Sequence, residues 1–481
     1  MLKSGAEHLE SIRDGRAVFI GSERVDDVTA HPAFRNAAGT IAAIYDLKAS
    51  RENRELATFE EGGERYSSYF LRARSREDLQ RRFDSHRLIG DATYGMMGRT
   101  PDHVASFVSG MAVNPRVLGR FSDNVLNYYD KMRREDLYAA YAIIPPQTAR
   151  DPSFAEHPGK MVPSLRVVRE NDSGVFISGV KMLATGAVLA NEIWIGSLVP
   201  LAPDQMAQSI TCAVPVNARG LSLWSRKPLE RHIVNEFDSP LTARFDETDS
   251  VLVCDDVHVP WERVFVHNDP VTARTIYLDT PAHCYGNHQS NVRFWCKMQL
   301  MLGLAARISA TTGADQQPAT RLTLGRMASL EALLGGLIMG QIQAAERWPE
   351  GYVTFNRRYM YAALGWCTEN YSAIVDTIRE MCGGGVFQLP ADTSIMNDPQ
   401  LASTFDHYWS TPRLRALDRM KLFKLAWDVV GSEFAGRHQQ YEKLYAGAPS
   451  VVFNYNHELA PWARFGAVVD ELMASYGLSG S

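Results

Sequence analysis

No run of about 18 apolar residues occurs in this chain, so nothing in it reads as a membrane span. No Gly-x-Gly-x-x-Gly opens a helix, and no Gly-x-x-x-x-Gly-Lys-Ser/Thr is present. The usual nicotinamide and nucleotide-phosphate sites therefore have no support. Cysteines are few: the six, at 212, 254, 284, 296, 367 and 382, have no paired spacing. That excludes a disulfide frame and a zinc site and fits reduced thiols. Positive charge is not in excess, with 50 Lys and Arg against 55 Asp and Glu and a net charge of −5. A nucleic-acid partner, which calls for a clustered basic face, is not expected. The first residues are interrupted by Glu7, Glu10 and Arg13 and lack the apolar core of a secretory signal, so the expected location is the cytoplasm. Internal repeats and low-complexity segments are absent. So is any regular alternation of strands and helices, which disfavours a doubly wound parallel sheet.

What remains is a chain of 481 residues, 45% hydrophobic and 22% charged, long enough for two to four packed units of a globular enzyme. The first segment, 1–139, reads as mainly helical, with helices expected around 76–88, 101–112 and 118–133. From 140 to 268 the texture changes to short β-branched runs. Ser164 to Arg169 and Val175 to Val180 flank the turn Asn171-Asp172-Ser173-Gly174. Glu192 to Val199, Ile210 to Val216 and Val251 to Val259 are further strand candidates. From 269 to 481 the helical period returns, in four helices: Ser290 to Ala310, Arg321 to Trp348, Arg358 to Cys382, and one starting at Thr411-Pro412 and running to about Tyr445. Four is the count of a bundle. The expected class is α+β, mainly α: a helical domain, an antiparallel β domain and a four-helix bundle.

One stretch, Gly90 to His103, concentrates chemistry. Thr100 reads as an N-cap, Pro101 as the first helical residue and Asp102 as an acid at the positive end of the helix dipole. Arg99 then lies just outside the helix and His103 in its first turn, so a cation, a titratable ring and free backbone N–H groups converge. Such a spot suits an anion or a phenolate, although an arginine beside a helix start is more often a surface charge.

The same stretch resembles the oxygenase family of 4-hydroxyphenylacetate 3-monooxygenase, the reduced-flavin-dependent aromatic hydroxylases, with a lean towards its halophenol and nitrophenol branch. The resemblance extends to residues 8–16 (His-Leu-Glu-Ser-Ile-Arg-Asp-Gly-Arg), 25–36, 244–265 and 426–442, and so spans the chain. It implies an acyl-CoA-dehydrogenase-like fold assembled as a homotetramer. It also implies bound FAD, delivered as FADH2 by a separate NAD(P)H:flavin reductase, and O2 as co-substrate. The flavin C4a-hydroperoxide must be kept dry, because water lets it decay. For the flavin the resemblance points to Gln147 and Arg150 after the stiff Pro145-Pro146 pair. It points also to the Thr185-Gly186 turn, where Gly186 replaces the more usual Ser or Asn, to the Gly384-Gly385 turn of a neighbouring subunit, and to Arg437 for a flavin phosphate. Bland readings of these residues are a surface arginine, a common β-turn, a helix C-cap and an intersubunit ion pair.

The family chemistry needs a phenolate, and a simple phenol has a pKa near 10. His288, in Cys284-Tyr285-Gly286-Asn287-His288-Gln289, is the expected base, and Arg99 the cation that holds the phenolate oxygen. His103 and Tyr141 are expected to shape the substrate pocket. Their ring types are exchanged relative to the 4-hydroxyphenylacetate hydroxylases, which shifts the expectation to a halogenated, nitro- or alkyl-substituted phenol. It would be hydroxylated ortho, or para with loss of a substituent. A loop from Leu198 to Ser209 is expected over the substrate. Three alternatives compete. A 4-hydroxybutyryl-CoA dehydratase needs cluster-ligating cysteines, and residues 90–115 contain none. An acyl-CoA dehydrogenase needs a carboxylate over the flavin, which no motif places. The third is a silent flavin-binding scaffold.

Overall fold

The computed structural model describes residues 2–151, 153–156 and 162–476. Helices Arg76–Ala92, Pro101–Met111 and Ser122–Arg134 form the first layer, with a 3-10 segment, Pro115–Phe121, where the third expected helix was to begin. An earlier helix, Arg35–Ala49, has no capping side chain of its own. Its first N–H groups, on Asn36 and Ala37, donate instead to the Glu230 carboxylate at 2.9 and 3.0 Å.

The middle of the chain builds two sheets. The larger runs Glu23–Val25, Val18–Ile20, Leu221–Ser225, Ser250–Pro260, Gly174–Lys181, Arg166–Asn171. Its first two strands come from the N-terminal segment, and Val18–Ile20 pairs parallel to Leu221–Ser225 while the other pairs are antiparallel. The hairpin at Asn171 to Gly174 forms as its turn residues predict. The smaller sheet runs Val264–Val266, Thr211–Pro215, Glu192–Ile195, Ala139–Ala142, with the last pair parallel. Expected strand Glu192 to Val199 stops at Ile195, and the chain then leaves for the loop that begins at Leu198.

The bundle comprises Ala282–Thr312, Pro318–Gln343, Arg357–Cys382 and a fourth rod that is two helices, Ala416–Val430 and Glu433–Lys443. The single helix expected from Thr411 breaks at Gly431-Ser432, where the Ser432 hydroxyl accepts from the Ala435 N–H at 3.1 Å and starts a new helix. Thr411-Pro412 belong to a turn before it. Trp348 is outside its expected helix, which ends at Gln343 ahead of a two-residue strand pair. Among the described residues, Pro318–Gln343 alone is long and apolar enough to cross a membrane by length and composition, yet it packs in the bundle against Ala282–Thr312 and Arg357–Cys382.

Ala282–Thr312 is the axis of the molecule. It is buried at every position from Ala282 to Phe294 and packs on Pro101–Met111, Arg76–Ala92 and Arg357–Cys382. Gly286 permits the first of these contacts: a Cβ there would fall inside the Phe107 ring. This close approach brings the start of the long helix to the start of Pro101–Met111.

Candidate active site

A cavity of about 470 Å³ opens where the three layers meet. Its walls come from the mouth of Pro101–Met111 (Arg99, His103, Phe107), the strand Ala139–Ala142 and the chain after it (Tyr141, Ile143, Ile144, Gln147), the turn Met182 to Thr185, the first turns of Ala282–Thr312 (His283, Asn287), and the helix Glu433–Lys443 with the chain just after it (Arg437, Tyr441, Tyr445). The expected helix start is correct: Thr100 is the N-cap and Pro101 the first helical residue. The Thr100 hydroxyl, however, donates to the Asp102 carboxylate at 2.5 Å and caps no backbone N–H. Asp102 in turn holds Nδ1 of the buried His86 at 2.8 Å.

Arg99 and His103 meet as expected. One guanidinium nitrogen lies 2.7 Å from Nε2 of His103, another donates to the Tyr445 carbonyl at 3.2 Å, and the guanidinium stacks 4.0 Å over the Tyr445 ring. Because arginine only donates, Nε2 of His103 is the acceptor and its proton sits on Nδ1. Burial and then Arg99 push this imidazole well below its ordinary pKa, so it is neutral. Nδ1 of His103 and the Tyr141 hydroxyl are buried with no hydrogen-bond partner among the described residues. Two unsatisfied polar atoms and a cation around one apolar cavity are what a phenol oxygen would satisfy.

The backbone that presents Arg99 is fixed by a carboxylate. The N–H groups of Gly98 and Arg99 both donate to Glu247 at 2.9 Å. Arg437 donates to the other oxygen of Glu247 at 3.0 Å and to both oxygens of Asp249 at 3.0 and 2.7 Å. Asp249 also accepts from Arg226 at 2.9 Å and from the Thr185 hydroxyl at 2.6 Å. Burial works against the Asp249 charge, but Arg437 and Arg226 hold its carboxyl below the usual range. Three sequence blocks, 90–103, 244–265 and 426–442, thus converge here.

Several expectations need correction. His288 does not reach the cavity. It lies five positions after His283, about 140° around the helix, fully buried, its ring stacked 3.5 Å from Phe355 and Nδ1 bonded to Gln341 at 2.7 Å. His283 and Asn287, four apart and so on one face, occupy the cavity wall instead. Arg437 does line the cavity, but its guanidinium is taken up by Glu247 and Asp249, which leaves a flavin phosphate no free fork and makes it an ion pair within the chain. Gln147 stands at the mouth, whereas Arg150, at the far end of the 3-10 turn Gln147–Arg150, is exposed and outside the lining. Thr185 lines the cavity. Gly186 sits behind it at φ 74°, a left-handed residue whose Cβ would strike the Tyr138 hydroxyl. Gly384 and Gly385 follow the C-terminus of Arg357–Cys382 and do not line this chain's own cavity.

The mouth suits a flat heteroaromatic ring. Leu183 is held at φ 64°, half its side chain exposed, beside Met182, Ile143, Ile144 and Leu198, with Gln147 and Thr185 as the polar edge. A β-branch-free apolar residue kept in the left-handed region is strained, and strain of this kind gathers where a ligand is clamped. Leu198 starts the loop expected over the substrate and is part of the wall. Sequence reading missed His283, Asn287, Glu247, Asp249, Tyr441 and Tyr445. Glu247, Asp249 and Tyr441 lay inside blocks already singled out, while His283 carried no periodic signal.

The fold is acyl-CoA-dehydrogenase-like. The N-terminal domain of the 4-hydroxyphenylacetate 3-hydroxylases matches residues 4–266 and the C-terminal domain of the same family residues 273–474. The chain belongs to this family. It is 33% identical to the oxygenase component of 4-nitrophenol 2-monooxygenase from a Rhodococcus species, over 92% of this chain and 86% of that one. Among solved structures, the oxygenase component (HpaB) of 4-hydroxyphenylacetate 3-monooxygenase in complex with FAD superposes with a TM-score of 0.93 at 29% identity, covering 98% of each chain. An archaeal 4-hydroxybutyryl-CoA dehydratase from N. maritimus shares the fold, with a TM-score of 0.89 at 18% identity over 100% of this chain and 97% of that one. Cysteines stay outside the cavity lining, and no group of three or more His, Cys, Asp or Glu suited to a metal occurs among the described residues.

Proposed function

We propose that the protein is the oxygenase component of a two-component, FAD-dependent monooxygenase that hydroxylates a substituted phenol. The observation that carries this is the state of the two arginines in the cavity. Arg437 is neutralised by two carboxylates, whereas the Arg99 guanidinium has no carboxylate partner among the described residues and faces unsatisfied His103 and Tyr141. A cation left uncompensated in a low-dielectric cavity favours the ionised form of a bound phenol.

Leu183, Thr185 and Gln147 would hold reduced FAD, which would supply the two electrons by which one atom of O2 enters the ring and the other leaves as water. The residues do the rest. Nδ1–H of His103 and the Tyr141 hydroxyl donate to the phenolate oxygen beside Arg99. His283, neutral because burial pulls it down to about 4, takes the phenol proton at Nε2, in the role expected of His288. Phe107, Tyr445 and Leu198 keep water out.

The separate NAD(P)H:flavin reductase fits the missing nicotinamide motifs. A homotetramer fits the exposed apolar residues of Pro318–Gln343 and Trp462–Ala474, among them Leu322, Leu333, Trp462, Val468 and Leu472. Within it Gly384 and Gly385 would approach a neighbour's flavin. A cytoplasmic location follows from the same reading. The substrate is a halogenated, nitro- or alkyl-substituted phenol, since neither neutral histidine nor the paired Arg437 offers a second charge for a carboxylate tail.

The test is anaerobic protein with FADH2 mixed with 18O2 and a panel of phenols, with products weighed by mass. One 18O per product molecule is expected. His283→Ala should lower the yield rate at pH 7 by about 10²- to 10⁴-fold, the span of positioned acid–base catalysis, and His288→Gln should mainly lower stability. Products without 18O from every phenol would overturn the reading.

A further inference from the structure

His283 separates two cavities. One face borders the substrate cavity; the other borders a second cavity of about 90 Å³, lined also by Tyr277, Thr280, Arg357, Tyr361, Tyr455 and Glu458. Nδ1 of His283 shares a 2.5 Å hydrogen bond with the Tyr361 hydroxyl, which leaves Nε2 on the other side of the ring. Tyr361 is stacked on Tyr455 at 4.8 Å. Glu458 and half-exposed Arg357 stand at the outer rim, where the small cavity meets the surface. The space is roomy enough for water beside the Tyr361 hydroxyl and Glu458.

We propose that Tyr361 is the positioning residue through which His283 passes the phenol's proton out of the active site, into this second cavity and on to solvent. The inference rests on the phenol reading above. The substrate O–H bond breaks as its proton goes to Nε2, the Nδ1–H proton passes to the Tyr361 oxygen, and the Tyr361 hydroxyl proton leaves to water beside Glu458. The first tautomer is restored when Nε2 gives its proton back on the active-site side, to the oxygen atom that leaves as water, as Nδ1 is reprotonated from the Tyr361 side. The histidine gains one proton and loses another, so it never carries the positive charge that burial penalises. This solves a physical problem that the site otherwise has: a base whose imidazolium is disfavoured must still accept a proton from a weakly acidic phenol. The groups that face this path are Cys284, Arg357, Tyr455 and Glu458 around Tyr361, and Tyr277 beside the histidine. None but Tyr361 bonds to the imidazole among the described residues.

Tyr361→Phe removes the hydroxyl and keeps the stacked ring. In single turnovers of the FADH2-loaded protein at pH 7, it should slow hydroxylation of a weakly acidic alkylphenol at least about tenfold. A nitrophenol already ionised in solution should react unchanged, and the alkylphenol rate should recover as pH rises. A second readout needs no turnover. With oxidised FAD bound, stopped-flow mixing with a chromophoric phenol below its pKa should show the phenolate band forming more slowly in the variant. Equal slowing of both phenols, or of neither, would overturn the relay. A wild type that ionises bound phenol through Tyr361 but hydroxylates none would remove the monooxygenase reading and leave the relay standing.

Discussion

Glu442→Gln would expose how much the floor of the site depends on one buried carboxylate. Glu442 accepts from Arg293 at 2.9 Å, with a second, closer contact to its other nitrogen, and from Lys297 at 2.9 Å; all three side chains are buried. Arg293 in turn lies 4.9 Å under the Tyr445 ring, on whose carbonyl Arg99 is fixed. Burial works against the Glu442 charge, but Arg293 and Lys297 bring the carboxyl from 4.5 down to about 2. A folded-state pKa below the unfolded value contributes stability that is fully present above pH 4.5 and is lost as pH falls towards 2. This depression corresponds to about 3 kcal/mol. Removing the charge by mutation also leaves two buried cations unpaired, which costs about 3 to 5 kcal/mol at neutral pH. Lys297, already pulled down to about 8 by burial, would then deprotonate more readily, so the variant should regain part of this loss between pH 7 and 9. Urea unfolding of both proteins, followed by far-UV circular dichroism from pH 3 to 9, measures the difference directly. It should be largest near neutrality and shrink towards both ends. A difference that is flat with pH, or below about 1 kcal/mol, would refute the assignment of Glu442 as the counter-ion of this cluster.

Glu230 is the opposite case: burial raises its carboxyl to about 7, so its charge weighs against folding above pH 7 and this penalty is relieved as pH falls to 4.5. Glu230→Gln should therefore gain on wild type in thermal melts between pH 5 and pH 8, by up to about 3 kcal/mol less the loss of one acceptor for the Arg35–Ala49 helix. Gly286→Ala would drive a methyl into Phe107. It should lower stability by about 1 to 3 kcal/mol and weaken phenol binding, both readable by melting and titration. A neutral-tailed phenol should have a higher kcat/KM than 4-hydroxyphenylacetate in parallel assays, and the reverse order would remove the argument from the paired Arg437.

Local rules carried the helix at Pro101, the hairpin at Asn171 to Gly174 and Arg357–Cys382, because each is announced by a cap, a turn or a period within a few residues. They failed where the structure is buried on all sides. Residues 282–289 mix His, Cys, Tyr, Asn and Gln with no apolar stripe, since every face of that helix segment touches protein. Its start was therefore set eight residues late, and with no helix phase His283 and His288 could not be assigned to opposite faces. The break at Gly431-Ser432 was hidden by an unbroken apolar rhythm, although a serine followed by Glu433 is an N-terminal signal. The Glu247 and Asp249 pairing with Arg437 joins residues about 190 apart, which no spacing rule reaches.

Charge placement connects these parts. Arg437, Arg293 and Arg99 all stack on Tyr441 or Tyr445, at 4.1, 4.9 and 4.0 Å for their nearer rings. Two of them are matched: Arg437 by Glu247 and Asp249, Arg293 by Glu442. Three unmatched guanidinium groups on two rings would repel one another. Two matched ones instead form a stiff frame that holds Tyr445 and the turn at Gly98, and the third keeps its charge for the cavity. The carboxylates therefore act at a distance from the reacting atoms. They spend no charge in the cavity, but they leave it a single uncompensated cation, Arg99.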